Sequence, residues 1–513
     1  KGRSTITNNL QTSLTANEVL NWGRNFGSHS VHALAGHENY KYHIENFSAT
    51  KTGFSYPGQT ALDDASTVES PPSSDAQDLR IESYFAGANY GFNEKYFASA
   101  SIRRDGSSRF ASFARWGTFY SFGLGWTISR EKFLSNVSWL NNLKLRGSYG
   151  ETGNDNIGLY YQYIAYYYAD GLGNFSPPTG LANANLQWES NVASSVAADF
   201  TVFKKLTGTV ELYQRKSKNL LFNVPLAPQT GLSGGVWQNI GQSKNTGIEV
   251  QLGYAAITKK NFDWRIDFNI SSFKNTITQL PPTQKITGIV SGNKKLTEGG
   301  SIYDFYLKQF VGVDPATGLA LYYMDITDPV TKLVTGKTLT SDISKATLYK
   351  NGSAIPKFQG GLTNSFRYKD FDLSILLVYS YGGLYYDANY AGLMSMGSAG
   401  TAWSTDILKR WQKPGDVTNV PRVQTAAGQD GASSRFLLDA SYANLKNITL
   451  GYQLNSGISR KVHVNDLRIF TSVDNAYILT AKKGGDPQQS FGGSPGSAYP
   501  PYRTFTFGIT FKL

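Results

Sequence analysis

The last ten residues alternate without a break: Phe505, Phe507, Ile509, Phe511 and Leu513 share one parity, and Thr504, Thr506, Gly508, Thr510 and Lys512 fill the other. Successive side chains of a strand point to opposite faces, so this is a strand with one aromatic face and one small polar face. The same period recurs along the chain. Ile248, Val250, Leu252 and Tyr254 alternate with Glu249, Gln251 and Gly253, and Trp264, Ile266, Phe268 and Ile270 with Arg265, Asp267, Asn269 and Ser271. Tyr120, Phe122, Leu124, Trp126 and Ile128 separate in the same way from Ser121, Gly123, Gly125 and Thr127. Such segments run to about ten residues, where strands of soluble proteins have a mode near five or six. A tilted strand needs about ten residues to cross a bilayer. About seventeen strands are expected by this reading.

The connections point the same way. Very short turns at Asn93 to Lys95, Lys204 to Lys205, Thr258 to Asn261 and Tyr368 to Asp370 alternate with long polar segments. The long segments are expected at about 48–77, 151–189, 219–243, 276–302, 384–434 and 476–501. An up-and-down sheet with tight turns at one rim and large loops at the other is the pattern of an outer-membrane β-barrel, with short periplasmic turns and long extracellular loops. Ser129 to Asn142 breaks the short-turn rule; Phe133, Val137, Trp139 and Leu140 suit a short amphipathic helix or tucked loop at the periplasmic rim. Barrels from a single bacterial chain close with an even strand number, so an odd count implies strands upstream of this chain.

Composition sharpens the picture. The chain of 513 residues has 32 Tyr, 29 Phe, 9 Trp and 52 Gly, and only 17% charged residues, against roughly 25% in ordinary soluble domains. With no cysteine, disulfides and thiolate metal sites are excluded. The formal net charge of +12 comes from scattered Lys and Arg and pairs such as Lys204-Lys205, Lys259-Lys260 and Lys482-Lys483. That dispersion does not build a nucleic-acid face, whereas an anionic membrane surface accepts it. No apolar run approaches the ~18 residues of a transmembrane helix, so a membrane location must use strands. The chain begins at Lys1, without an initiator Met or a signal-peptide core, which reads as a processed or truncated start.

Enzyme chemistry finds no support. His29, His32, His37 and His43 are close in sequence, but His32 and His37 fall on opposite strand faces and no carboxylate spacing completes a metal site. No zinc-protease, nucleophile-elbow or phosphate-loop motif occurs. Aromatics crowd the loops instead: Tyr160, Tyr161, Tyr163, Tyr166, Tyr167 and Tyr168 in one. Trp237, Tyr385, Tyr386, Tyr390, Trp403 and Trp411 sit in others. Rings in polar loops stack on sugars or pack on peptide side chains, or serve as an interfacial girdle and loop-to-loop packing. Trp237, Tyr385, Tyr386, Trp403 and Trp411 are the candidate ligand contacts. Asp63-Asp64 and Asp325-Ile326-Thr327-Asp328 offer oxygens for Ca²⁺ in principle, but read as solvated turns; no cofactor is expected.

Several segments together resemble the C-terminal barrel part of the SusC/RagA family of TonB-dependent transporters of Bacteroidetes. They are Arg103-Arg104-Asp105-Gly106-Ser107-Ser108-Arg109-Phe110 with Arg115-Trp116-Gly117, Leu143 to Asn154, Asn183 to Glu189 and Asn245 to Glu249. Pro356 to Gly361, Leu445 to Tyr452 and Tyr499 to Gly508 complete the set. The resemblance implies a 22-stranded barrel with an N-terminal plug, a SusD-like surface lipoprotein as lid and energy from a TonB complex. Relative to a complete member, the plug, the TonB-engaging segment and roughly five strands are absent from residues 1–513, and Leu513 stands where members commonly end in Phe. The expected function is active import of oligosaccharides or peptides across the outer membrane. A siderophore or metal-chelate receptor, a passive porin or adhesin barrel, and a soluble carbohydrate-binding β-protein are the alternatives. Asp105 and its neighbouring arginines are expected to brace a loop through charge-assisted hydrogen bonds rather than touch ligand.

Overall fold

A computed structural model describes all residues except 1, 159, 165–167, 170–174, 177–179, 227, 233, 396–399, 401, 425–432, 455–465, 482–485, 497–498 and 513. Tyr166, Tyr167, Lys482, Lys483 and Leu513 lie outside the described residues. Among the described residues fifteen strands form the principal sheet, and each is hydrogen-bonded to the next in chain order. They are β1 (Arg3–Phe26), β2 (His29–Phe54), β3 (Ala65–Phe92), β4 (Tyr96–Ser107), β5 (Trp116–Thr127), β6 (Leu140–Asn154), β7 (Glu189–Val202) and β8 (Leu206–Lys218). Then follow β9 (Gln242–Lys259), β10 (Phe262–Gln279), β11 (Phe358–Tyr368), β12 (Phe371–Tyr381), β13 (Tyr442–Gln453), β14 (Asp466–Thr480) and β15 (Thr504–Lys512). Sequential antiparallel neighbours follow from hairpin connections, which need no crossover.

Contacts divide the chain into two compact units. The first comprises Lys1–Ile128, Leu145–Ser195 and Arg215–Gln242. Its ladder from β1 to β5 aligns Leu20, Ala35, Ala86, Ile102 and Tyr120 in one row, and Phe26, His29, Phe92, Tyr96 and Trp126 in another. The intervening parity carries Gly23, His32, Asn89, Ser99 and Gly123. The second unit comprises Ser129–Lys144, Val196–Gln214 and Ser243–Leu513. There Trp264, Phe366, Leu373, Leu450, Thr471 and Phe507 form one row, and Arg265, Ser365, Ser374, Thr449, Ser472 and Thr506 the next. A register slip of one residue would mix these faces, so the alternation in each strand fixes the pairing of its neighbours.

Burial is inverted relative to a water-soluble domain. Leu20 and Phe507 are each 81% exposed on the wall, while the buried apolar clusters lie in the connections. One is Phe110, Ile157 and Leu186; others are Met394, Ile407, Val420 and Phe436, and Phe305, Leu307 and Ala354. A single-layer sheet has no second layer against which to bury its apolar parity, the arrangement of a membrane β-barrel wall.

Two expectations are corrected. The segment 48–77 is mostly strand, because β2 and β3 run on through it and leave 55–64 as the connection. Polar strand ends that are wet on both faces lose the period-2 signal. The count of seventeen exceeds the fifteen of the principal sheet. Residues 280–357, between β10 and β11, instead fold into two small sheets, which include Asp304–Lys308, Leu348–Ser353, Ala320–Thr327 and Val334–Thr340. Ser129 to Asn142, expected as a short helix or tucked loop, forms 3₁₀ turns at Ile128–Arg130 and Lys132–Leu134 and then enters β6. Among the described residues the one α-helix is Ala388–Leu393.

Candidate functional site

In the first unit the Arg-Asp-Gly segment is a brace. Cross-strand register puts Glu38, Ser83 and Asp105 in one row, with Gly36, Phe85 and Arg103 in the next row on the same face. Arg103 spans them: its Nη2 donates to Glu38 (2.8 Å), its Nε to Asp105 (2.7 Å), and its guanidinium lies 5.3 Å from the centre of the Phe85 ring. Ser107 Oγ donates to Asp155 (2.6 Å) and Arg109 Nη1 donates to the other oxygen of that carboxylate (3.3 Å). Two arginines and three carboxylates thereby tie β2, β4 and the segment after β6 together. The expected scaffolding role has this geometry.

Next to the brace, Trp188 Nε1 donates to the Arg115 carbonyl (2.8 Å), which also accepts from Ser107 N (3.2 Å). The Trp188 ring packs between Phe110 (5.6 Å) and Phe119 (5.7 Å). Gly117 and Gly153 leave the space these rings occupy, since a Cβ at either would collide with Phe119. Trp188 was legible only as part of the Asn183 to Glu189 segment; its aromatic partners are distant in sequence.

One of the five candidate aromatics lies in the first unit and four lie in the second. In the first unit, Trp237, in strand Gly235–Asn239, packs on the cluster of Phe110, Ile157 and Leu186. In the second, Tyr385 and Tyr386 share the short strand Leu384–Tyr386, and Tyr386 packs on Met394 and Phe436. Trp411 donates from Nε1 to the Pro315 carbonyl (2.9 Å) and covers Gly318, which pins the turn between Phe310–Val313 and Ala320–Thr327. Trp403 is the most open, 38% exposed. The acidic Asp328 is occupied in a turn, accepting from Thr331 N (2.7 Å) and Val330 N (2.9 Å), which holds its carboxyl below the usual range. His37 and His43 each bond two carboxylates, Glu18 with Glu82 and Asp78 with Glu45.

Tyr385 is 1% exposed and its hydroxyl has no hydrogen-bond partner. Burial, then Asp387 and Asp486, push its pKa up to about 12. Tyr390 is also raised to about 12, by burial and then by its hydrogen bond to Asp406 (3.0 Å). A phenol held neutral in the fold contributes fully below its unfolded pKa near ~10, and that contribution is lost as pH rises towards the folded value. Tyr385→Phe removes an unpaired buried hydroxyl and is expected to stabilise by about 1 kcal/mol at neutral pH. It should also reduce the alkaline loss; thermal unfolding in detergent at neutral and alkaline pH checks both.

The polar face of the second unit holds a cavity of about 520 Å³ lined by Asp199, Thr209, Gln251, Arg265, Asp267 and Asn269. Arg265 forks onto Asp267 and Thr209 donates to Asp199 (2.9 Å). Gly253 keeps the floor open, since a Cβ there would meet Thr207 Oγ1 at 2.8 Å. Such a wall offers hydrogen bonds to a polar solute.

A family model described as TonB dependent receptor-like, beta-barrel matches residues 2–476. TonB-dependent receptor P3 of Formosa agariphila is 28% identical over 100% of this chain and 53% of its own length. TonB-dependent receptor SusC of Bacteroides thetaiotaomicron is 28% identical over 98% of this chain and 50% of its own length. The solved structure of the RagAB peptide transporter matches with a TM-score of 0.86 and 25% identity, over 99% of this chain and 56% of that chain. The chain therefore spans about half the length of the curated relatives it matches.

Proposed function

The chain belongs to the TonB dependent receptor-like β-barrel family, and on that premise we propose that it forms the barrel wall of a SusC-like importer in the outer membrane. The cargo is an oligosaccharide or peptide too large for passive pores, delivered beneath a SusD-like surface lipoprotein and moved by TonB-dependent work. The observation that carries this reading is the match to the RagAB peptide transporter along nearly the whole chain. Support comes from the two-faced sheet, with Trp264, Phe366 and Leu373 turned to lipid and Arg265, Ser365 and Ser374 to the lumen. Of the five candidate aromatics, Trp403 is assigned to cargo contact because its ring keeps open surface; Tyr385, being buried, is assigned to packing.

Disruption of the gene in its source bacterium, followed by uptake of labelled peptides and oligosaccharides, is the test. Uptake of one class should fall to the level left by collapsing the proton gradient, and a lipoprotein should co-purify with the tagged protein. Unchanged uptake of both classes, with no lipoprotein retained, would overturn the proposal.

A further inference from the structure

The turn between β7 and β8 sets an aromatic residue where the backbone disfavours one. Phe203 and Lys204 have φ of +54° and +55°, the geometry of a type I′ hairpin turn, which prefers Asn-Gly. A bulky ring in the left-handed region is strained, and strain that folding does not require marks a site of presentation. Folding does not require this ring: Phe203 is 66% exposed. It stands against Trp139, 51% exposed, with ring centres 5.9 Å apart, near Phe133 in sequence, 69% exposed. The backbone locks the pair, since Phe203 N donates to the Trp139 carbonyl (2.7 Å) and Lys204 N to Asn141 Oδ1 (2.6 Å).

Lysines flank this pair along the chain. Lys204 and Lys205 follow Phe203 directly, Lys132 lies in the segment that leads to Trp139, and Ala255 N donates to the Lys205 carbonyl (2.9 Å), which brings in the hairpin that ends in Lys259-Lys260. Glu131, the one carboxylate between residues 128 and 140, already has a partner. Exposed amphipathic rings beside lysines match the boundary between acyl chains and anionic headgroups.

We propose that Phe203, Trp139 and Phe133, with Lys132, Lys204 and Lys205, form an anchoring site for anionic phospholipid at the short-turn rim. The proposal rests on the outer-membrane reading above and adds to it a headgroup preference and the residues that set it. The site holds the phosphate with the lysines and seats the rings among the first methylenes, fixing the wall at one depth in the leaflet.

The test places the detergent-purified protein in lipid nanodiscs of phosphatidylcholine with or without phosphatidylglycerol. Native mass spectrometry counts retained lipids, and brominated phosphatidylglycerol reports contact through quenching of Trp139, assigned by difference from Trp139→Phe. Wild type should retain phosphatidylglycerol over phosphatidylcholine, and Lys204→Gln with Lys205→Gln should weaken that preference about fivefold per lysine. Phe203→Gly relieves the turn strain, so its unfolding temperature in detergent should hold or rise while lipid retention falls. No headgroup preference in wild type, or one that survives the double lysine change, overturns the proposal; so does a Phe203→Gly variant that loses stability but keeps its lipids. Failure to enter the discs at all would instead count against the outer-membrane reading.

Discussion

Trp188→Ala is expected to cost about 3 kcal/mol or more of stability and to loosen the connection after β4 and the start of β7 together. The ring sits between Phe110, fully buried, and Phe119, 6% exposed, so truncation opens a cavity that two aromatic neighbours cannot close. It also deletes the donor to the Arg115 carbonyl. Trp188→Phe separates the two effects: it keeps most of the packing and should lose only about 1 kcal/mol for the hydrogen bond. Gly153→Ala attacks the same stack from below, because its Cβ would enter the Phe119 ring. Thermal unfolding in detergent, read as the temperature at which the compact gel band is lost, ranks the variants. Equal behaviour of Trp188→Ala and wild type would mean that the stack does not hold the connections.

Arg103→Met should be the second severe change, at about 2–4 kcal/mol. Asp105 is 8% exposed, and removing the cation that bridges it to Glu38 leaves buried negative charge without compensation. The neighbouring Arg104 lies over the exposed Trp116 ring, 5.4 Å from its centre; Arg104→Met should cost less than about 1 kcal/mol. Adding Glu38→Gln and Asp105→Asn to Arg103→Met removes the orphaned charges and should recover most of the loss. Recovery identifies the brace as electrostatic, whereas its absence would assign the loss to packing of the Arg103 stem on Phe85.

Part of this architecture is legible from residues close together in the chain. The parity of Trp264 to Ser271 and of Tyr120 to Ile128 survives in the rows they join, and the short turns at Asn93 to Lys95, Thr258 to Asn261 and Tyr368 to Asp370 lie between the strands expected. Where patterning misled, the cause is physical. Residues 66–76 of β3 are exposed on both parities, so strand continues through them without an apolar–polar alternation. Within 280–357 alternation is present, but it belongs to small sheets packed on Phe305, Tyr322 and their neighbours.

Residue type and location in a loop do not distinguish a ring that packs from a ring that binds. Tyr385 and Trp403 have the same credentials in sequence and very different exposures in the structure, 1% and 38%. Exposure depends on partners brought from elsewhere, such as Leu438 across from Tyr385.

By itself the sequence determined the two-faced strands, the rim of short turns, the absence of thiol chemistry and the family, because period, turn residues and motifs are properties of neighbouring positions. The Arg103 brace, the Phe110–Trp188–Phe119 stack and the strained presentation of Phe203 were decided only in the tertiary structure. Each depends on side chains or backbone from separate strands meeting in one register, and no local pattern encodes which distant residue will arrive.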